Sequence, residues 1–164
     1  MRILIVGPSG AGKSTLARRL GARLGVPVIH LDAHYWRAGW REPAKAEWEA
    51  QVDALVARDA WIMDGNYSGT FERRIAAADT VVFLDFPRWR CVAGVYTRWW
   101  RTRGTVREDL APGCPEKLPS AEFLKWIVWD YPRRSRPRLL GLLEHAKHVV
   151  VLRSRDDVER YARE

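Results

Sequence analysis

The chain has 164 residues, with 28 basic against 20 acidic side chains and a formal net charge of +8. That length suits one domain with a real core. No run reaches the stretch of about 20 apolar residues that spans a membrane, the N-terminal apolar run is one strand long and no secretory leader, and the two cysteines, Cys91 and Cys114, make neither a disulfide framework nor a zinc site. Of the basic residues 23 are arginine, whose planar fork bonds phosphate bidentately. The expected partners are therefore anionic (nucleotides, phosphorylated metabolites or nucleic acid), in a cytoplasmic protein with reduced thiols.

In chain order, Arg2-Ile3-Leu4-Ile5-Val6 reads as a buried strand. It runs into Gly7-Pro8-Ser9-Gly10-Ala11-Gly12-Lys13-Ser14-Thr15, which fits the phosphate-binding pattern G-x-x-x-x-G-K-[ST]. Glycines at 7, 10 and 12 let the backbone curl so that successive N–H groups aim at phosphate oxygens. The helix expected over 13–24 adds its unpaired N-terminal donors. Lys13 then meets the β- and γ-phosphates of ATP, and the Ser14 hydroxyl is a ligand for Mg²⁺.

A second strand over 28–31 ends at Asp32, and a helix follows over 43–58. A third strand, Trp61-Ile62-Met63, ends at Asp64; a short helix over 69–77 and a fourth strand over 80–84 lead to Asp85. A long helix is expected over 89–103, an irregular Pro/Gly-rich stretch over 104–119, helices over 121–129 and 137–145, a fifth strand over 148–152 and a last helix over 156–163. Apolar strands alternating with helices predict an α/β fold, a parallel sheet covered on both faces. Ligands then bind beyond the carboxyl ends of the strands.

That rule selects the site. Asp64 is the candidate acid for Mg²⁺, because in nucleoside-monophosphate-type kinases the third strand lies beside the first. Asp32 is open to three readings: a base for an acceptor hydroxyl, a substrate-positioning group, or a helix cap. Asp85 reads as structural. Tyr35, Trp36 and Trp40, with Asn66 and Tyr67, are placed to line an acceptor pocket, whereas Trp48 and Trp61 read as packing. Residues 88–138 form an Arg/Trp-rich, lid-like insert within a single domain over 1–164. Arg98 and Arg101, at i and i+3, are the first candidates to meet the transferring phosphoryl group, with Arg103 and Arg107 next. Arginine interleaved with tryptophan also suits single-stranded nucleic acid, which keeps open a nucleotide-regulated nucleic-acid-binding protein.

The segments Pro27-Val28-Ile29-His30-Leu31-Asp32, Trp61-Ile62-Met63-Asp64-Gly65-Asn66-Tyr67-Ser68-Gly69-Thr70 and Pro112-Gly113-Cys114-Pro115-Glu116, with the phosphate loop, resemble the adenylate-kinase-like P-loop proteins known as DNA topology modulation (FlaR-like) proteins. The resemblance covers almost the whole chain. It implies the three-layer P-loop NTPase fold of nucleoside-monophosphate kinases, a five-stranded sheet in the order 2-3-1-4-5, and ATP binding. Adenylate kinases carry Asp-Gly-Phe-Pro-Arg after the third strand, where the arginine grips the acceptor phosphate. The matching stretch here, Asp64-Gly65-Asn66-Tyr67-Ser68, lacks that arginine, leaving Arg73 or Arg74 as its substitute.

Overall fold

The computed structural model describes residues 1–163. Five strands, β1 (Arg2–Val6), β2 (Val28–His30), β3 (Trp61–Asp64), β4 (Thr80–Leu84) and β5 (Val149–Leu152), form one parallel sheet in the order β2-β3-β1-β4-β5. This is the expected order. β1 lies at the centre, with Ile5 in register with Asp64 on one side and Val82 on the other.

Side chains alternate along each strand, so the near-continuous apolar runs feed two cores. Leu4 and Val6 join Trp61, Met63, Val81 and Phe83 under α3 (Lys45–Val56), α4 (Phe71–Ala77) and α7 (Arg136–Leu143). Ile3 and Ile5 join Ile62, Val82 and Leu84 under α1 (Lys13–Leu24) and α5 (Arg88–Thr102). Trp48 and Trp61 are buried in the first core, as their packing role requires.

The chain departs from its sequence reading in two places. Residues 31–35, following β2, form a short helix, α2 (Leu31–Tyr35), so Asp32 sits in a first helical turn instead of a loop. Further on, α6 (Ala121–Lys125) continues through a π-helical segment, Trp126–Ser135, into α7 without the expected break at 130–136. Pro132 lies inside that segment. A π-helical stretch accommodates a missing N–H that would end a regular helix. α8 (Arg155–Tyr161) closes the described chain, its Ser154 and Asp157 forming a reciprocal cap.

Helix α5 lies directly on the phosphate loop. A Cβ on Gly94 would come within 2.2 Å of the Gly10 carbonyl oxygen, and one on Gly10 within 2.0 Å of the Cys91 carbonyl oxygen. Gly10 also has φ +83, where L side chains are strained. Replacing an exposed helix-interior glycine by alanine normally stabilises by about 1 kcal/mol. Gly94→Ala should do the opposite, costing about 1–3 kcal/mol by overpacking. A lower urea midpoint checks this, and a raised midpoint would refute the contact.

Candidate functional site

The loop between β1 and α1 curls through Gly10 (φ +83) and Gly12 (φ +93), the residue that caps α1. Lys13 Nζ folds back across the loop and donates to the carbonyl oxygens of Gly7 and Pro8, each at 2.9 Å. Burial lowers its pKa and nearby Arg98 adds to that, while the charges of Asp64 and Asp32 oppose it. The lysine therefore lies within electrostatic reach of both strand-end carboxylates.

Asp64, the last residue of β3, is buried. Its Oδ2 accepts a hydrogen bond from Ser14 Oγ at 2.6 Å. Its Oδ1 lies 2.5 Å from His30 Nδ1, and an ionised carboxylate can only accept, so the imidazole donates. The contact follows from register, since His30 of β2 pairs with Asp64 of β3. Burial works against protonating His30, but the hydrogen bond and charge of Asp64, with the charge of Asp109, raise its pKa overall. Ser14, Asp64 and His30 thus form one chain of contacts across the sheet edge.

Asp32 accepts from the Tyr67 hydroxyl at 2.6 Å. Its pKa is raised, chiefly by burial and further by Asp64, against the opposing effects of Tyr67, Lys13 and Arg107. The carboxylate is thus turned to the site, and it does not act as a cap: the N-terminus of α2 has no side-chain cap. Tyr67 packs on Tyr35 at 4.4 Å and on Trp48 at 5.0 Å between ring centres. Tyr35 meets Trp36 edge-on at 5.0 Å, and Trp36 meets Trp40 at 5.3 Å. The aromatic residues expected at the acceptor side therefore form a continuous wall beside Asp32. Asn66 lies at its edge with a buried, unpartnered Oδ1.

Two candidate arginines stand elsewhere. Arg73 pairs with Asp53 at 2.9 Å and Glu49 at 3.4 Å on α3, and Arg101 is exposed near the end of α5. On α4 the core takes Phe71, Arg74 and Ile75, which turns Arg73 outward. On α5 the buried line runs through Cys91 and Val95, and Arg98 continues it while Arg101 lies beyond the loop. Arg103 stacks on Trp100, 4.0 Å from the ring centre. Asp85 holds Arg136 through two hydrogen bonds of 2.8 and 2.7 Å, a structural role as expected.

Arg74 is fully buried. Its guanidinium donates to the carbonyl oxygens of Gly65 (2.9 Å), Asn66, Tyr67 (2.9 Å) and Thr70 (3.3 Å), and to Thr70 Oγ1 (3.1 Å). Burial pulls its pKa down to about 9, which leaves it charged at neutral pH. It is a clamp on the β3–α4 loop and is not available as an acceptor ligand.

Arg98 meets Glu116 at 3.2 Å, and Arg107 meets Glu116 at 2.8 Å and Asp109 at 3.5 Å. Asp109 is buried and interacts with Ser14 and His30, so the stretch 104–119 reaches the phosphate loop. His30, Asp109 and Glu116 did not stand out as site residues in the sequence. The available signals were the strand-end position of His30 and the unusual Pro-Gly-Cys-Pro-Glu run.

Residues 3–107 match the AAA domain family model. A stretch of 39 residues is 59% identical to the bifunctional pantoate ligase/cytidylate kinase of Gloeobacter violaceus, covering 24% of this chain and 8% of that protein. A stretch of 98 residues is 32% identical to the shikimate kinase of Rhodococcus erythropolis, covering 51% of this chain and 58% of that protein. The matches thus span a small part of the first relative and little more than half of the second. Among solved structures, shikimate kinase from Acinetobacter baumannii in complex with shikimate superposes with a TM-score of 0.64 at 16% identity, over 98% of this chain and 88% of that one. A gluconokinase from Sinorhizobium meliloti 1021 gives 0.53 at 16% identity, with the same two coverages. At such identities the likeness is one of fold. With the phosphate loop, the sheet order and the family match agreeing, the chain belongs to the AAA domain family of P-loop proteins.

Proposed function

We propose that the protein is a small-molecule kinase that transfers the γ-phosphoryl group of ATP to a hydroxyl acceptor. The observation that carries this reading is the half-buried Asp32 carboxylate, held by Tyr67 within electrostatic reach of Lys13. A base so placed is needed for a hydroxyl and superfluous for a phosphate acceptor. The fates of Arg73 and Arg74 point the same way, since neither faces an acceptor phosphate. The shikimate kinase and gluconokinase relatives support a hydroxylated acceptor by their names.

The loop amides and Lys13 bind the triphosphate. Ser14 Oγ and Asp64 Oδ2, 2.6 Å apart, are hard oxygen donors beside the loop and fit Mg²⁺, which favours a few carboxylate or hydroxyl ligands shared with phosphate oxygens. These two residues would hold the ion, and it would neutralise phosphate charge. Asp32 takes the acceptor's proton, and the acceptor oxygen attacks the γ-phosphorus as ADP leaves. Arg98 and Arg107 face the charge that develops on the transferred group. The aromatic wall from Tyr35 to Trp40 orients the acceptor and excludes water. The stretch 104–119 acts as a lid within the 88–138 insert.

A second reading, nucleotide-regulated binding of nucleic acid as the FlaR-like resemblance suggests, is favoured by the exposed Trp100 and Trp129 with Arg103 and Arg133 stacked on them. An anisotropy titration with single-stranded DNA across salt tests it. This reading expects affinity that falls steeply with salt; no binding at low salt, with or without ATP, removes it.

The kinase reading expects Lys13→Ala to lower ATP turnover by about 100-fold or more, because it removes the charge on the transferring phosphate. A screen of hydroxylated metabolites and nucleoside monophosphates, followed by ADP release, tests both the reaction and the acceptor class; transfer to monophosphates alone would overturn the base role of Asp32. The pH dependence follows from the raised Asp32 pKa. Asp32 must be ionised to act, so kcat/KM should rise with pH along a limb centred above the ordinary carboxylate range. Asp32→Asn should flatten that limb, and an unchanged profile would count against Asp32 as base.

A further inference from the structure

Arg98 and Arg107 lie close enough that the charge of Arg107, after burial, lowers the pKa of Arg98. Two guanidiniums do not stay together in a partly buried place without a counter-charge. Glu116 supplies it, with Oε1 3.2 Å from Arg98 Nε and Oε2 2.8 Å from Arg107 Nε. The side chains of Glu116 and Arg107 are only 6% and 11% exposed. Yet Arg107 Nε is buried without an aligned hydrogen bond. The carboxylate therefore holds the two cations in place chiefly by charge.

Glu116 is itself held from outside the phosphate site. Its backbone N–H donates to Thr105 O at 3.0 Å. Just before it, the carbonyl of Gly113 accepts from Gly39 N–H at 3.0 Å, and Cys114 Sγ donates to the Arg37 carbonyl at 3.2 Å. Gly113 has φ +80, and a Cβ there would come within 2.9 Å of the Ala38 Cβ. The strap 112–116 is therefore seated on the turn 36–41, next to the aromatic wall of the acceptor side.

We propose that Glu116 is a positioning residue for phosphoryl transfer: seated by the strap on turn 36–41, it sets Arg98 and Arg107 side by side as a paired cation for the oxygens of the transferring group. This rests on the kinase reading. Glu116 touches neither the nucleotide nor the acceptor; it acts through the two arginines. Because its seat is the acceptor-side turn, order on that side is passed to the cations on the donor side.

The test uses the full chain and needs no identified acceptor. Affinities for ADP and for ADP with aluminium fluoride, a mimic of the transferring phosphoryl group, are measured by calorimetry with Mg²⁺, together with thermal unfolding. Wild type should prefer the mimic complex. Glu116→Gln, which keeps shape and removes charge, should cut that preference by about tenfold or more while ADP affinity stays within about twofold. Glu116→Asp should recover part of the preference. Gly113→Ala, which leaves the carboxylate but disturbs its seat, should lose preference in the same direction. Equal loss of both affinities in Glu116→Gln, or no loss of preference, overturns the positioning role while leaving the kinase reading intact. A wild type that neither prefers the mimic nor transfers phosphate to any acceptor of the screen overturns the kinase reading and this role with it.

Discussion

The approach of Gly94 to the Gly10 carbonyl oxygen governs the geometry of this site. A phosphate loop must present backbone N–H groups at close range, so its outer side has little thickness to spare. Here that side is covered by α5, and the cover fits only because position 94 lacks a side chain. Once α5 is seated, its inward line is determined by helical spacing: Cys91, Gly94, Val95 and then Arg98, one turn beyond the contact. The same contact that shields the loop therefore delivers a cation to it. Arg101, almost one turn further along the helix, stays in solvent.

The edge of the sheet carries a high density of buried charge. Asp64, Asp109 and Glu116 are buried carboxylates, and Asp32 lies close to them. Such groups are tolerated in proteins when each finds a partner. Asp64 has Ser14 and His30, Asp32 has Tyr67, Asp109 has Arg107, and Glu116 has both arginines. In the proposed reaction, the triphosphate would enter an array whose cations are already in place. Its binding energy is then not consumed in assembling them, which is the condition under which fixed charges assist a transition state.

Much of this edge is legible in the sequence, for physical reasons. Strands buried on both faces are continuous apolar runs, and the glycine spacing of a phosphate loop has few other uses, so the sheet, Lys13, Ser14 and Asp64 all follow. The π-helical stretch does not, because Pro132 reads as a helix stop unless the wider turn is already known. Arg73 and Arg74 are adjacent and chemically identical, and only the rotation of α4 decides that one is a surface ion pair and the other a buried clamp. The Pro-Gly-Cys-Pro-Glu run marks Glu116 in the sequence without saying what it contacts. Its role depends on contacts across 18 residues to Arg98 and on a strap seated on turn 36–41, and no local pattern encodes either.

The buried clamp also explains the acceptor half of the site. Tyr67 has φ +33, a left-handed conformation that costs an ordinary residue about 1–2 kcal/mol. Arg74 offsets that strain by bonding the carbonyls on both sides of it, and the same conformation aims the Tyr67 hydroxyl at Asp32. An arginine committed to four backbone carbonyls cannot also hold an acceptor phosphate, since turning outward would leave those carbonyls buried and unpaired. The arginine of this loop therefore stiffens it and does not reach out of it. In the proposed reaction, what faces the acceptor is then a carboxylate, a phenol and aromatic faces, groups that suit a hydroxyl better than a second phosphate.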